Sequence, residues 1–134
     1  MAGRHEIDPG LGSQLRTVGA IPGLDLLVLF GSRSRGDSRA ASDWDFGYLG
    51  TSAVDRDRLF QTLTDAVGSD SVDLVDLTRA GGLLRYRVAR DGRVVVENRA
   101  GAFERFWLDA VTFWCDAAPV LGPAYEGVLE RLGR

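Results

Sequence analysis

Asp43 and Asp45 stand one residue apart in the segment D-W-D-F-G-Y-L, whose later residues read as a strand. Strand geometry puts side chains two apart on one face, with Cα atoms roughly 7 Å from each other. Two carboxylates facing one way repel unless a cation neutralises them, and hard divalent ions are what such oxygens hold. An isolated D-x-D is most often turn chemistry at a solvated strand start. Here two other elements change the odds. Upstream, the apolar run Leu26-Leu27-Val28-Leu29-Phe30 ends in Gly31-Ser32, and ten residues separate that turn from Asp43. Downstream, Ser71-Val72-Asp73-Leu74-Val75-Asp76-Leu77 reads as a central or near-central strand carrying two more aspartates, at least one of them in a buried or cleft environment. Those two are three apart and face opposite sides. Asp73 is the one assigned to the Asp43 and Asp45 site, because Asp76 lies near the strand end before Thr78, where a capping or turn role accounts for it.

The continuous apolar run suits a strand covered on both faces, and Gly31 punctuates it where the chain must turn. With Ser32 as N-cap, the stretch S-R-S-R-G-D-S-R has room for about two helical turns before the chain re-enters the sheet. Free backbone N–H groups at such a turn, beside a glycine that lets a phosphate approach, make an anion site, and Arg33, Arg35 and Arg39 add positive charge nearby. Phosphates held there and Mg²⁺ bridging them to the carboxylates are the chemistry this arrangement predicts.

Gly-Ser, ten residues, Asp-x-Asp and a later V-D-L-V strand together resemble the polymerase β-like nucleotidyltransferase superfamily. Within it, GSRSRG and L-L-R-Y-R-V-A-R-D-G-R-V-V-V-E are similar to the minimal nucleotidyltransferase (MNT) antitoxins of HEPN/MNT toxin–antitoxin systems, over about residues 24 to 118. The resemblance implies an α/β (α+β) fold, a small mixed β-sheet flanked by helices. It also implies two Mg²⁺ ions held by Asp43, Asp45 and Asp73, and ATP as substrate with its triphosphate at Gly31, Ser32 and Arg35. The implied reaction is adenylylation of a tyrosine on a partner HEPN-domain toxin, which neutralises that toxin. Asp73 is then a general base or a metal ligand that lowers the hydroxyl's pKa, and the sequence separates neither role from the other. Trp44 departs from the family pattern, where an aliphatic residue usually stands between the aspartates. Gly47 and Tyr48 make the second strand read as less regular than typical, and no departure removes a ligand.

Size and composition narrow the acceptor. At 134 residues and 14.5 kDa the chain reads as one domain over 1–134, with a loose tail over 1–10 and a C-terminal helical part over 102–132. That leaves no second domain to grip an RNA primer or an antibiotic. A net charge of −3 and a pI of about 5.1 argue against a nucleic-acid surface. All 16 basic residues are arginine, a pattern read as GC-rich coding more than as phosphate recognition. One cysteine, Cys115, excludes an internal disulfide and reads as a packed core thiol in a reducing cytoplasm. No run approaches a membrane span, and M-A-G-R-H-E-I-D-P-G lacks a signal-peptide core. His5 is the lone histidine and leaves no material for histidine chemistry.

The elements that position these residues are a helix over about Leu11 to Ala20, an amphipathic helix over Ala53 to Val67 with a solvated Asp55-Arg56-Asp57-Arg58 face, and a helix around Gly81 to Arg90. Arg85, Arg87 and Arg90 read as a solvated face of that last helix. A turn at Asp91-Gly92 leads to a strand over Arg93 to Glu97. A helix over about Ala102 to Ala118 carries Phe103, Phe106, Trp107, Ala110, Phe113 and Trp114 as one stripe, read first as core and second as a surface for a homo- or hetero-oligomer. A short helix over Ala124 to Leu132 follows two prolines. Two functions compete with the adenylyltransferase reading: an inactive antitoxin that neutralises by binding, and a transferase for small acceptors such as aminoglycosides.

Overall fold

The computed structural model describes residues 9–35 and 43–116. Four strands carry the fold: β1 (Leu24–Phe30), β2 (Trp44–Gly50), β3 (Val72–Asp76) and β4 (Arg93–Glu97). They form one sheet in the order β3-β2-β1-β4. β1 pairs antiparallel with β2 and β4, whereas β2 and β3 are parallel, so the sheet is mixed as expected. An interior strand with helices on both faces buries nearly every side chain, which explains why Leu26–Phe30 is continuously apolar.

A parallel pair needs a crossover, and α3 (Arg56–Val67) supplies it between β2 and β3. The Asp55 carboxylate accepts from the Arg58 N–H at 3.1 Å, and Gly68 closes the helix in the left-handed conformation at φ 69°. Leu59 and Leu63 of α3 meet Leu27, Leu29, Phe46, Tyr48 and Leu74 on one face of the sheet, together with Leu15 and Val18 from the N-terminal segment. The other face buries Leu26, Val28, Phe30 and Leu77 under Val88 and Ala89 of α4 (Gly82–Asp91) and under Phe103, Phe106 and Ala110 of α5 (residues 102–116).

Several expectations change. The first helix divides into α1 (Pro9–Gln14) and a 3-10 helix (Arg16–Ala20), since Leu15 turns inward at the join and Gly10, Gly12 and Gly19 weaken a continuous helix. α3 begins at Arg56, and Arg56 is no idle surface charge: its Nη2 donates to the Leu74 carbonyl at 2.7 Å. That bond occupies part of the exposed edge of β3, which lies at the margin of the sheet and not near its centre. α4 likewise presents no solvated arginine face. Arg85 Nη1 donates to the Leu77 carbonyl at 3.0 Å and Arg90 forks onto Asp91 at 3.1 and 2.9 Å. The Asp91 hydrogen bonds hold the Arg90 guanidinium above its ordinary pKa, against the opposing effect of burial.

β2 runs unbroken through Gly47, whose bare backbone seats Leu77: a Cβ there would lie 2.8 Å from Leu77 Cδ2. The aromatic stripe of α5 splits. Phe103, Phe106 and Ala110 are core, Trp114 meets Tyr86 of α4 at 5.2 Å between ring centroids, and Phe113 is 50 % exposed. Cys115 is exposed rather than packed, because it falls off the buried stripe. Among the described residues no helix is long and apolar enough to cross a membrane. The expected helix over 124–132 and most of the expected tail over 1–10 lie outside the described residues.

Candidate active site

Register does what spacing alone could not. Asp45 is opposite Phe30 of β1 on one side and opposite Asp73 of β3 on the other. Register partners on adjacent strands share a face, and strands lie about 4.8 Å apart, so the two carboxylates stand side by side. Asp43 precedes β2 by one residue and shares that face. With Asp73 it lines an open depression of about 160 Å³ floored by Ser71 and Val72. Asp70 stands on the same rim, a fourth carboxylate that the sequence reading did not single out. Asp43 and Asp73 are exposed and Asp45 is half-buried; Asp73 meets the expectation of a β3 aspartate in a buried or cleft environment by lining the depression, not by burial. An edge strand faces solvent where a central one would not. Asp76 is a turn residue: its Oδ1 accepts from the Thr78 N–H at 2.9 Å.

Gly31 joins this face from β1. It has φ +76°, a conformation glycine adopts freely, and a Cβ placed on it would collide with Asp45 Oδ2. The absent side chain therefore lets the turn's backbone lie directly against a carboxylate. The described part of α2 (Ser32–Arg35) is one turn, with the Ser34 N–H and Oγ both donating to the Gly31 carbonyl, at 3.1 and 2.8 Å. Arg93 of β4 steadies it by donating Nε to the Ser34 carbonyl at 3.2 Å, a contact between residues too far apart in sequence for any motif to signal.

The arginines divide. The Arg33 side chain lies over the Trp44 ring, 4.0 Å from guanidinium carbon to centroid. Period-2 alternation puts Trp44 and Phe46 on the side away from Asp45, and the two rings stack at 6.3 Å and 5°. Arg35 is the last described residue of α2; its side chain, and Arg39 altogether, lie outside the described residues.

An all-oxygen donor set on one face suits Mg²⁺ by donor chemistry, and the Asp45 carboxylate occupies the space that a side chain on Gly31 would fill. Among the described residues no three such side chains are drawn together as a formed metal cage. The fit is thus one of donor type and shared face. A larger cleft of about 320 Å³ lies at the opposite end of this face between Asp25, Arg99, Arg105 and Asp109. It has size without a phosphate turn or a carboxylate pair in register, so the smaller depression is the better candidate.

The nucleotidyltransferase profile "Polymerase beta, Nucleotidyltransferase" matches residues 21–100, which span β1 through β4 and every candidate site residue. This chain belongs to that family. It is 35% identical over 108 residues, 69% of either chain, to the protein adenylyltransferase MntA of Aphanizomenon flos-aquae (strain 2012/KM1/D3). Its fold is similar to that in a crystal structure of a toxin–antitoxin with AMP-PNP, at TM-score 0.65 and 28% identity over 82% of this chain and 94% of that one. It also resembles a chain in the complex of the tri-AMPylated Shewanella oneidensis HEPN toxin with MNT antitoxin, at TM-score 0.56 and 28% identity over 81% and 87%. The nucleotidyltransferase domain and the polymerase β-like fold expected from the motifs are therefore present.

Proposed function

We propose that this chain is a Mg²⁺-dependent protein adenylyltransferase, an antitoxin that moves AMP from ATP onto a tyrosine of a HEPN toxin and thereby neutralises it. The observation that carries this reading is the pairing of Asp45 with Asp73 in register, with Gly31 packed bare against Asp45. The similarity to an adenylyltransferase, to a complex with an ATP analogue and to one with an AMPylated toxin supports it.

Each residue has a part. The backbone of Gly31 and Ser32 takes the triphosphate, with Arg35 adding charge. Asp43, Asp45 and Asp73 would hold the metal, which when bound supplies charge neutralisation at the entering and leaving oxygens. A tyrosine hydroxyl has a pKa near 10 and needs help to attack the α-phosphorus at neutral pH. Asp73, exposed on the edge strand, is open to a partner's tyrosine, and it either takes that proton or, as a metal ligand, helps to lower the hydroxyl's pKa. An open depression suits a protein acceptor, which brings its own walls. The chain works as a single domain, and the exposed half of α5 offers it apolar surface for the partner. The exposed thiol of Cys115 fits a reducing cytoplasm.

The test incubates the protein with labelled ATP, Mg²⁺ and the toxin encoded beside it. Label should pass to toxin tyrosine and should not pass with the Asp43→Ala/Asp45→Ala variant. No transfer by the wild type, combined with full neutralisation by the double variant at matched expression, sinks the enzymatic reading and leaves neutralisation by binding.

A further inference from the structure

We infer that Trp44 is a positioning residue for the nucleotide turn, acting through Arg33; this rests on the reading that Gly31-Ser32 takes the triphosphate. The first turn of a helix, which is the described part of α2, is the least able to hold itself, because forming it fixes several dihedrals for a single hydrogen bond. Tertiary contacts must fix it, and here they come from both sides. Arg93 reaches the Ser34 carbonyl at 3.2 Å from β4. On the other side the Arg33 guanidinium lies on the Trp44 ring at 4.0 Å.

The ring is itself immobilised. It stacks on Phe46, which is fully buried, and its backbone N–H donates to the Ser71 carbonyl at 2.8 Å. Arg33 immediately follows Ser32, so pinning its side chain pins the turn. An aliphatic residue would fill the half-buried slot equally well but offers no π face to a cation. Since Trp44 points away from Asp45, its influence on the nucleotide passes through the turn and not through contact.

Two readouts on the full chain test this. Exchange of the Ser34 amide, bonded to the Gly31 carbonyl at 3.1 Å, reports on the turn without any nucleotide. Calorimetric affinity for AMP-PNP with Mg²⁺ reports on what the turn does. Trp44→Leu and Arg33→Gln should each speed Ser34 exchange and weaken AMP-PNP binding about 3- to 5-fold, the worth of one partly exposed cation–π contact. Trp44→Phe, which keeps a π face, should restore most of both. The Trp44→Leu/Arg33→Gln double variant should be no worse than the poorer single, since the two residues form one device.

Additive losses in the double variant would mean that Arg33 meets the phosphates itself, and would overturn the inference. Unchanged Ser34 exchange in both single variants would overturn it too, as would a lower melting temperature for Trp44→Leu with affinity intact. Arg33→Gln leaves the core untouched and keeps the question decidable if Trp44→Leu folds poorly. If wild-type protein bound no AMP-PNP while Ser34 exchange responded as expected, the nucleotide reading would fall and the clamp would stand.

Discussion

The two faces of β2 have opposite characters although they alternate residue by residue. One face presents Asp45, Gly47 and Leu49; the other presents Trp44, Phe46 and Tyr48. The aromatic face is packed into the core formed with α3, where Phe46 is fully buried. The acidic face opens to solvent where Asp43 and Asp73 line the depression, has Asp45 half-buried against Gly31, and closes further along, where Leu77 seats on Gly47. A strand that must expose carboxylates at one end cannot draw stability from them, so the reverse face holds the strand in place. The proposed chemistry and the anchorage are thus separated by the thickness of one strand, and substitutions on the two faces should fail in different ways.

Phe46→Ala should have the largest effect and should act on stability. Truncating a fully buried phenylalanine costs about 3–5 kcal/mol, a large part of the roughly 5–15 kcal/mol that holds a domain of this size folded. Urea denaturation checks it, and a loss below about 1 kcal/mol would mean that this face does not carry the anchorage. Asp45→Asn should do the reverse. Toxin adenylylation should fall about 100- to 1,000-fold, given the several kcal/mol that charge neutralisation contributes, while the denaturation midpoint stays near wild type. A variant that unfolded instead would show that Asp45 is structural and would erase the distinction between the faces.

How much of this separation could be read from sequence depends on whether the deciding contact is local. The strand over Arg93 to Glu97 was legible to the residue, because a glycine precedes it and β-branched residues fill it. The common face of Asp43 and Asp45 follows from a two-residue period. The partnership of Asp45 with Asp73 does not, because pairing between strands is a tertiary choice; eliminating Asp76 points to Asp73, whereas the apolar residues around it suggest a central strand and the sheet has it at the edge. Arginines were the least legible residues. Arg33, Arg56, Arg85 and Arg93 each end on a ring or a carbonyl supplied by another element, and a long flexible side chain carries no periodic signal of its destination.

Gly47→Ala gives the smallest effect and tests the comparison most finely, since it alters the acidic face where that face stops being open. The added Cβ would lie 2.8 to 3.0 Å from three carbons of Leu77, closer than such atoms tolerate. Leu77 is fully buried and its backbone N–H is held by the Tyr48 carbonyl at 3.0 Å, so the side chain has no free direction in which to yield. Overpacking of this kind costs about 1–3 kcal/mol, offset by the roughly 0.5–1 kcal/mol that alanine recovers over glycine within a strand. A net loss of about 1 kcal/mol with adenylylation nearly intact is therefore expected. Leu77→Ala alone should cost more, because it opens a cavity, and adding Gly47→Ala to it should recover part of that loss as the new methyl fills the space. Strict additivity of the two substitutions would show that Gly47 and Leu77 do not meet, and would place the boundary between the open and packed parts of this face somewhere else.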